Sequence, residues 1–349
     1  MTSETLAVTD RKFGAAGLTR PVGVMGSGVF VPDRVVPNDE LVHGLDTSDE
    51  WIIKRTGIRE RRFLGEGLAT SDMCIPAARQ ALRAADVRPE DLAAVIVATF
   101  TPDQPLPSTA LVVKNALGAD NAIPLDLTQV ACAGPIYAML TAAHLLQNET
   151  AAAVLVIGAD CGSRATNPTD RTTRVFLGDA AGAVVLGRTE TGYGLLSWDT
   201  GDDLSFEVQI PTGGSRRPAD AERVVAGEHF LHMNGRAVWN IATTRIPQTI
   251  RRSVRRAGLE IGDVRHFLLH QANLNIINEA MSALELPADK APSTVGRYGN
   301  TGAASMFTVL HEAMESGLDD GDVLVLAAIG AGFLWGSMCI RHNDIGHGA

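Results

Sequence analysis

The sequence of 349 residues predicts a layered α/β fold made of two similar halves. Two observations support this prediction: short apolar runs alternate with segments of helical periodicity, and the order of these segments recurs in the second half of the chain. Apolar runs predict strands at residues 22–31, 94–100, 122–127, 153–159, 182–186, 266–270, 323–329 and 333–340. Helical spacing predicts helices at residues 71–85, 134–146, 235–257, 274–284 and 303–316.

The internal repeat is visible at two places. Residues 81–87, ALRAADV, match residues 253–259, SVRRAGL, and each segment leads at the same distance into an acidic residue and an apolar strand. The apolar run 154–156 matches the run 324–326 at nearly the same offset. Helix–loop–strand segments are common, so each match alone is weak. Two matches at a shared offset of roughly half the chain predict two similar halves that face each other.

These matches predict an N-terminal half over residues 21–190 and a C-terminal half over residues 191–349, with the change-over near residues 188–194. Residues 1–20 mix polar and charged types with short apolar stretches, and we expect a flexible N-terminal extension there. They lack the apolar core of a signal peptide, and no later run has the length of a bilayer span, so no membrane association is expected.

The composition narrows the class of function. The formal net charge of -10 argues against nucleic acid as the main partner, because phosphate binding needs a basic surface. Aromatic residues make up only 5%, which disfavours base-stacking platforms. The four cysteines are widely spaced without a CxxC pair. This spacing disfavours a disulfide framework or a zinc site and predicts a reducing, cytoplasmic location.

Cys132 is the candidate nucleophile. It lies in the segment ACAGP, between the predicted strand 122–127 and a helix that begins near Gly134. A thiol at a helix N-terminus lies at the positive end of the helix dipole, which favours the thiolate, and small neighbours leave room for a thioester. The alternative is a small buried hydrophobic residue, and position alone does not decide between the two.

Three further segments place polar groups at strand ends or helix starts. His270 ends a predicted strand, where sites form in α/β proteins, although a hydrogen-bonded core histidine is the alternative. Asn300 lies in a turn that leads into a helix, where a turn or capping residue is the alternative. Residues 330–333, GAGF, form either a tight hairpin or a turn whose N–H groups face a substrate oxygen. With Cys132, these segments predict a nucleophilic site.

Several motifs occur in a fixed order along the chain: DTSDEW (46–51), RTGIR (55–59), ACAG (131–134), PTDR (168–171), GDAAGA (178–183), HQAN (270–273), NT followed by AAS (300–305), and GF followed by WGS (332–337). On these motifs the chain resembles the β-ketoacyl-ACP synthase III family, from about Val22 to Arg341. The resemblance implies the duplicated thiolase-like fold of that family, with layers in the order α-β-α-β-α. A member that serves specialised metabolism is one hypothesis.

The resemblance implies catalytic roles for the matching residues. Cys132 matches the nucleophile that takes an acyl group from acyl-CoA. His270 and Asn300 match the pair that hydrogen-bonds the thioester carbonyl of the second substrate. The backbone N–H groups of Cys132 and Ala331 are expected to hold the oxyanion.

The resemblance also implies a coenzyme A site. Trp51 and Arg171 match residues that sandwich the adenine, and Arg55 matches a residue near the phosphates. An indole and a guanidinium both stack on a base, and arginine pairs well with phosphate. A core tryptophan and surface ion pairs are the alternatives for these residues taken singly.

The implied mechanism is ping-pong. Acyl-CoA acylates Cys132, CoA leaves, and a malonyl thioester enters and loses carbon dioxide. The resulting enolate is stabilised by His270 and Asn300 and attacks the acyl group. The resemblance implies no metal and no permanently bound cofactor, since the CoA thioester is a substrate.

Two positions depart from the family where acyl carrier protein docks. Asn240 and Asn275 stand where primary-metabolism members usually carry basic residues, and losing these charges weakens docking of an acidic carrier. Four arginines on one predicted helix are a candidate replacement patch, with a solvated helix face as the alternative: Arg251, Arg252, Arg255 and Arg256.

Other departures concern the acyl pocket and the loops. Leu106, Gly162 and Leu177 replace larger residues that often line a short acyl pocket, which predicts room for a starter larger than acetyl unless neighbours refill the space. Ala331 replaces a loop glycine but keeps its N–H. Gly302 replaces a small polar residue, and the sequence gives no reason for it.

Three hypotheses of function follow. The leading one is a condensing enzyme with a non-acetyl starter and a malonyl acceptor on acyl carrier protein, in polyketide or fatty-acid-type biosynthesis. The second keeps acyl loading but passes the acyl group to a hydroxyl, an amine or a carrier-protein thiol without condensation. The third is a non-catalytic subunit, which the complete Cys132, His270 and Asn300 set disfavours. The resemblance implies a homodimer in which the region of Leu106 reaches the partner's acyl pocket.

Overall fold

The computed structural model describes residues 18–128 and 130–344, so most of the predicted extension, residues 1–17, lies outside the described residues. The strands are β1 Val22–Phe30, β2 Val35–Pro37, β3 Glu60–Arg62, β4 Leu92–Ala98, β5 Ile123–Leu127, β6 Ala153–Cys161, β7 Asp179–Arg188, β8 Gly194–Asp202, β9 Val208–Gln209, β10 His232–Met233, β11 Val264–Leu269, β12 Val323–Gly330 and β13 Leu334–Arg341. The helices are α1 Asn38–Val42, α2 Asp49–Thr56, α3 Thr70–Ala84, α4 Thr109–Leu117, α5 Gly134–Leu145, α6 Gly162–Ala165, α7 Arg171–Arg174, α8 Ala221–Val225, α9 Gly235–Arg256, α10 Leu274–Ala283, α11 Val295–Tyr298 and α12 Ser305–Glu315.

The predicted strands and helices are confirmed, with ends that differ by a few residues. The pattern missed β8, α2 and α4. β8 contains two glycines and two aspartates, which are depleted in strands, and the partner strand β13 provides its backbone hydrogen bonds. The helices α2 and α4 have 8 and 9 residues, too short for a clear helical period.

Two sheets repeat one arrangement. The first has the order β1-β7-β6-β4-β5, and the second has the order β8-β13-β12-β11. In the first sheet β7 is antiparallel to β1 and β6, and β6 is parallel to β4. In the second sheet β13 is antiparallel to β8 and β12, and β12 is parallel to β11. The repeat seen in the sequence is therefore a structural duplication, to which the first sheet adds the parallel edge strand β5.

The sheets and helices form five layers. Helices α5 and α12 lie between the two sheets and share one core cluster with the inward residues of β4, β6 and β12. Helices α3 and α4 cover the outer face of the first sheet, and α9 and α10 cover that of the second. Because both of its sides face a sheet, α5 is apolar nearly all round. The predicted α-β-α-β-α order is confirmed.

The layers bring strand ends and helix starts from the two halves into contact with each other. The strands of the first sheet come from residues 22–188 and those of the second from residues 194–341, so the proposed change-over near residue 190 falls between β7 and β8. Among the described residues, no helix is both long and apolar enough to cross a membrane.

Candidate active site

Cys132 lies in a short 3-10 turn, Ala131–Ala133, that leads directly into α5. The turn packs against the end of β12 and against a second 3-10 turn, Gly302–Ala304, that leads into α12. Gly134 lets the start of α5 pack closely on the end of β4, because a Cβ at that position would lie 2.7 Å from the Cβ of Ala98. The nucleophile therefore lies where the two halves meet.

The thiol of Cys132 is not held as a thiolate in the free protein. Burial, and then the negative charge of Asp160, raise the pKa of Cys132 to about 12, although its own backbone N–H opposes this shift. Desolvation therefore opposes the thiolate that the helix start was predicted to favour. The thiol proton has to leave when the sulfur attacks an acyl donor.

The turn after β12 lies beside the backbone of Cys132. A Cβ at Gly330 would lie 3.0 Å from the Cys132 nitrogen and 2.6 Å from the Val130 carbonyl oxygen. The glycine therefore lets the turn approach Cys132 closely. Ala331 follows directly, so the two backbone N–H groups predicted to form the oxyanion hole belong to segments that touch.

His270 follows β11 and is held on its backbone and on its ring. Its N–H donates to the Ala327 carbonyl at 2.8 Å, and its Nδ1 lies 2.5 Å from the Ser305 hydroxyl. The same hydroxyl oxygen accepts from the Gln271 N–H at 3.2 Å. Among the described residues, Nδ1 is the one acceptor for the Ser305 proton. Because Nδ1 accepts the Ser305 proton, the neutral His270 ring carries its own proton on Nε2.

His270 is neutral at physiological pH. The side chain is buried, and this burial lowers the pKa of His270 to about 4. A neutral imidazole with its proton on Nε2 is a hydrogen-bond donor toward a substrate oxygen. Stabilising an enolate oxygen needs such a neutral hydrogen-bond donor rather than a charged acid.

Asn300 is fixed between the two halves. Its N–H donates to the Phe176 carbonyl at 2.8 Å, and its carbonyl accepts from the Gly178 N–H at 3.0 Å. Its side-chain Oδ1 accepts from the Gly302 N–H at 3.0 Å. Because Oδ1 is engaged in the turn, the Nδ2 hydrogens are the end of the amide available for a substrate oxygen.

The three predicted catalytic residues lie on segments that contact each other. The turn of Cys132 contacts the turn that follows Asn300, and α12 begins with Ser305, the hydroxyl partner of His270. These segments come from both halves, which explains why no local sequence motif contains all three. Among the described residues, no group of three or more His, Cys, Asp or Glu side chains is arranged to hold a metal ion.

The residues predicted to bind coenzyme A are only partly brought together. The Arg171 guanidinium lies 5.5 Å from the centre of the Trp51 ring and donates to the Asp46 carbonyl. A base between the two needs a separation of roughly 7 Å, two stacking contacts of about 3.5 Å. The exposed Arg171 side chain must therefore move outward before an adenine enters. Arg55 is exposed near the end of α2.

Two asparagines fasten this region to the C-terminal half. The side-chain amide of Asn275 donates to the carbonyls of Lys54 and Arg55, and that of Asn273 also donates to the Arg55 carbonyl. Asn275, which replaces a basic residue of the family pattern, therefore positions the helix that carries Trp51. Asn240 is exposed on α9.

The three residues predicted to enlarge the acyl pocket differ in their burial and in their contacts. Leu177 is buried and pairs through its backbone with Asn300. A Cβ at Gly162 would lie 3.2 Å from both the Cβ and the Cδ1 of Leu177. Leu177 thus fills the space that Gly162 leaves, which was the alternative weighed for this position. Leu106 is 84% exposed and does not line a pocket of its own chain.

The four arginines of α9 do not form one free basic patch. Arg252 and Arg256 both pair with the buried carboxylate of Asp199, at 2.8 and 2.7 Å. Arg251 and Arg255 are exposed. The four-residue patch is therefore corrected to two outward arginines, because a periodic pattern cannot reveal a buried carboxylate on a neighbouring strand.

Three residues at the site were not given roles from the sequence. Asp160 is fully buried, and its Oδ2 accepts from the Ala303 N–H at 2.7 Å. Gly302 has a φ of +56°, and a Cβ there would lie 2.1 Å from Asp160 Oδ2. The Ser305 hydroxyl fixes the His270 ring. Two of them had a signal in the sequence: Ser305 ends one of the family motifs, and Gly302 departs from the same motif.

Comparisons with known proteins identify the family of this chain. Residues 125–204 match the family 3-oxoacyl-[acyl-carrier-protein (ACP)] synthase III, and residues 254–342 match its C-terminal part. A β-ketoacyl-[acyl-carrier-protein] synthase III of Symbiobacterium thermophilum is 43% identical over 325 residues, 92% of this chain and 98% of the relative. The acetoacetyl CoA synthase NphT7 of Streptomyces sp. strain CL190 is 41% identical over 314 residues, 88% of this chain and 95% of the relative.

A solved structure extends the similarity to three dimensions. The priming β-ketosynthase from the R1128 polyketide biosynthetic pathway superposes with a TM-score of 0.86 at 29% identity, covering 93% of this chain and 97% of that one. The chain therefore belongs to the β-ketoacyl-ACP synthase III family, a family of acyltransferases with the thiolase fold.

Proposed function

We propose that this enzyme loads an acyl group from acyl-CoA onto Cys132 and then condenses it with a malonyl thioester. The observation that carries the proposal is the set of contacts between the segments of Cys132, His270 and Asn300, with a neutral His270 and an oriented Asn300 amide. A thiol beside two neutral donors suits acyl transfer followed by enolate formation.

In the first step, the Cys132 sulfur attacks the thioester carbon of acyl-CoA. The N–H groups of Cys132 and Ala331 stabilise the negative charge on the carbonyl oxygen. The bond from carbon to the CoA sulfur breaks, and the thiol proton of Cys132 leaves with CoA as its free thiol. Trp51, Arg55 and Arg171 are proposed to hold the CoA portion.

In the second step, the malonyl carboxylate leaves as carbon dioxide, and its bonding electrons form an enolate on the thioester oxygen. Hydrogen bonds from His270 Nε2 and Asn300 Nδ2 stabilise this oxygen. The enolate carbon attacks the acyl carbonyl on Cys132, the bond to sulfur breaks, and the sulfur takes up one proton. The product is a β-ketoacyl thioester.

Acyl carrier protein is the proposed carrier of the malonyl group, and coenzyme A is the alternative. The names of most relatives specify carrier protein, whereas the name of NphT7 specifies a CoA product. The CoA alternative gains support from Asn275, which is used inside the protein, and from the Arg252 and Arg256 pairs with Asp199. Arg251 and Arg255 are the remaining candidates for an acidic carrier.

Carbon dioxide release separates these acceptors. Acyl-loaded enzyme is mixed with malonyl-CoA or with malonyl carrier protein, and carbon dioxide and the β-keto product are measured. Charge reversal of Arg251 and Arg255 should raise KM for malonyl carrier protein and leave KM for malonyl-CoA unchanged if the carrier docks there. If fully acylated enzyme releases no carbon dioxide with either acceptor, condensation is contradicted.

Transfer without condensation is the second candidate function. The missing basic residues at Asn240 and Asn275 favour a small hydroxyl or amine acceptor, since neither needs a protein docking surface. Discharge of the acyl-enzyme by such an acceptor, without carbon dioxide release, would support it.

A starter larger than acetyl is part of the proposal. Leu177 occupies the space beside Gly162, so the length of the acyl chain is set by Leu177 rather than by an open volume. Replacing Leu177 by alanine should shift loading toward longer acyl-CoAs, measured as relative kcat/KM across a chain-length series. An unchanged preference would show that the acyl chain lies elsewhere.

A homodimer is proposed through the free edge of the first sheet. β5 is the edge strand, and its residue Ile123 is 54% exposed. Leu106 and Leu111, in the segment before β5, are also exposed apolar residues. An apolar edge strand is a site for strand pairing with a second copy.

A cytoplasmic location is proposed because Cys132 must stay reduced to act.

A further inference from the structure

The structure contains a buried carboxyl group behind the site, at the junction of the two halves. Asp160 lies near the end of β6 and is fully buried. Its Oδ1 accepts from the Thr99 hydroxyl at 2.9 Å, the Phe100 N–H at 2.8 Å and the Thr101 hydroxyl at 3.2 Å. Its Oδ2 accepts from the Ala303 N–H at 2.7 Å. These donors come from both halves and are all neutral.

The carboxyl group has no cationic partner among the described residues. Burial without an ion pair raises the pKa of Asp160 to about 7, although the four hydrogen bonds oppose this shift. An aspartate that serves only to join two loops does not need a charge, since a neutral amide also accepts hydrogen bonds. A carboxyl group at this buried position therefore needs a reason beyond joining the two loops.

The carboxylate is hydrogen-bonded to the turn that follows Asn300, and this turn contacts the turn of Cys132. Ala303 follows Asn300 in the same turn, and its Cβ lies 3.9 Å from the position of a Cβ on Gly134, two residues after Cys132. The Asp160 charge is the second cause, after burial, of the raised pKa of Cys132. One carboxylate thus acts on the Asn300 turn by a hydrogen bond and on Cys132 by its charge.

We propose that Asp160 is a positioning residue that holds the Asn300 turn through the Ala303 N–H and thereby places behind the turn of Cys132 a carboxylate that has no cationic partner among the described residues. The inference rests on the proposed roles of Cys132 and Asn300. It adds a group that touches no substrate but links the nucleophile to the turn that stabilises the enolate.

The other titratable groups around Asp160 are thiols and carboxyls. They lie on the elements packed against it: Cys74 on α3, Asp103 after β4, Asp126 on β5, Cys132 before α5, Cys161 on β6 and Asp179 on β7. Burial raises the pKa of each of these thiols, so none supplies a compensating charge.

Alkylation of Cys132 by iodoacetamide tests the charge effect. The rate is measured from pH 7.5 to 10 by intact mass, with Cys132→Ala to identify the label. Asp160→Asn keeps the shape and an acceptor but removes the charge, so alkylation should be faster by at least roughly threefold at a given pH, the effect of half a pKa unit. Rates equal to those of the unmodified protein would overturn the proposal.

Asp179→Asn is the matched control. Asp179 is also a buried carboxyl that accepts from neutral donors, on the neighbouring strand β7, and its charge is not among the causes that raise the pKa of Cys132. It should leave the alkylation rate of Cys132 unchanged. Equal acceleration by both variants would indicate loosened packing and would also overturn the proposal.

Single-turnover kinetics test the positioning effect. In Asp160→Asn, discharge of acyl-Cys132 by malonyl thioester should slow more than acyl loading does, because only discharge uses Asn300. If this variant does not fold, Thr99→Val removes one donor from the carboxylate, disfavours the anion and should speed alkylation to a smaller extent. Alkylation needs no acyl donor, so its outcome is independent of whether the proposed condensation is correct.

Discussion

The turn before α5 and the turn before α12 are duplicated elements with different chemistry. Each is a three-residue 3-10 turn, Ala131–Ala133 and Gly302–Ala304, and each begins with a residue of positive φ, +44° at Ala131 and +56° at Gly302. Cys132 and Ala303 are their middle residues. A strand end from the opposite half supports each turn, β12 beneath the first and β6 beneath the second.

The supporting residues differ in a way that assigns the chemistry. Gly330 at the end of β12 has no side chain beside the Cys132 nitrogen, whereas Asp160, its counterpart on β6, places a carboxylate oxygen on the Ala303 N–H. The second turn therefore already binds an oxyanion supplied by the protein. The first has no protein oxygen supplied by the residue at this position, which fits its proposed role in holding the oxygen of a substrate.

The residues that follow the equivalent parallel strands differ in the same way. Thr99 follows β4 and donates its hydroxyl to Asp160, while His270 follows β11 and contacts Ser305. The duplication thus provides two equivalent backbone frames. One frame provides polar support, and the other carries the groups that are proposed to face a substrate.

The largest expected effect comes from filling the second turn. Gly302→Ala places a Cβ at 2.1 Å from Asp160 Oδ2 and puts alanine at positive φ, so the free energy of unfolding should fall by about 4 kcal/mol. Chemical denaturation measures this. Combining Gly302→Ala with Asp160→Ala should recover part of the loss. A loss that the second change does not reduce would show that Asp160 is not the obstacle.

The second effect is a pH dependence of stability that Asp160 carries. Burial raises the pKa of Asp160 in the folded state to about 7 from its ordinary value of 3.8, so the folded state holds the proton more tightly, and this contribution to stability is lost as pH rises through 7. Relative to the unmodified protein, Asp160→Asn should therefore gain about 2 kcal/mol between pH 5 and pH 7. The contribution of His270 has the opposite sign but is present in both proteins and cancels. A difference that stays constant over this range would contradict the assignment.

A smaller effect is expected at Ser305, which has no hydroxyl counterpart in the first turn. Ser305→Ala frees His270 to take either tautomer, so the condensation rate should fall on the order of tenfold, about 1.4 kcal/mol, while acyl loading is unchanged. Nitrogen NMR of His270 should show the proton moving from Nε2 alone to both ring nitrogens. Ser316→Ala, at the far end of the same helix, is the matched control. A normal condensation rate with a changed tautomer would show that the ring does not act as the donor.

The smallest effect is expected at Ala131, the counterpart of Gly302. Ala131→Gly relieves a positive φ but increases the freedom of the unfolded chain, so the change in stability should lie within about 1 kcal/mol of zero. Thermal unfolding of Ala131→Gly and of Gly302→Ala, measured side by side, shows directly how the two turns differ in their contribution to stability. Equal losses for the two substitutions would break the comparison between the turns.

Much of the fold and part of the site follow from the sequence. Strand and helix patterns are local, and the repeat shows the duplication, so the layers and the positions of Cys132, His270 and Asn300 at element ends were predictable. The ionisation of Cys132 was not, because it depends on burial and on Asp160, a residue of another strand. The partner of Arg252 and Arg256 is equally remote, since Asp199 lies on β8. Contacts between residues that are far apart along the chain leave no periodic signal in the sequence.

The most direct test of the central claim is the intact mass of the protein after incubation with a panel of acyl-CoAs, with Cys132→Ala in parallel. The account predicts a mass gain of one acyl group that is absent from the variant and is lost, with carbon dioxide release, when a malonyl thioester is added. A protein that stays unlabelled by every acyl-CoA of a broad panel, or a label that persists in Cys132→Ala, would contradict the assignment of Cys132 as the acyl-accepting nucleophile.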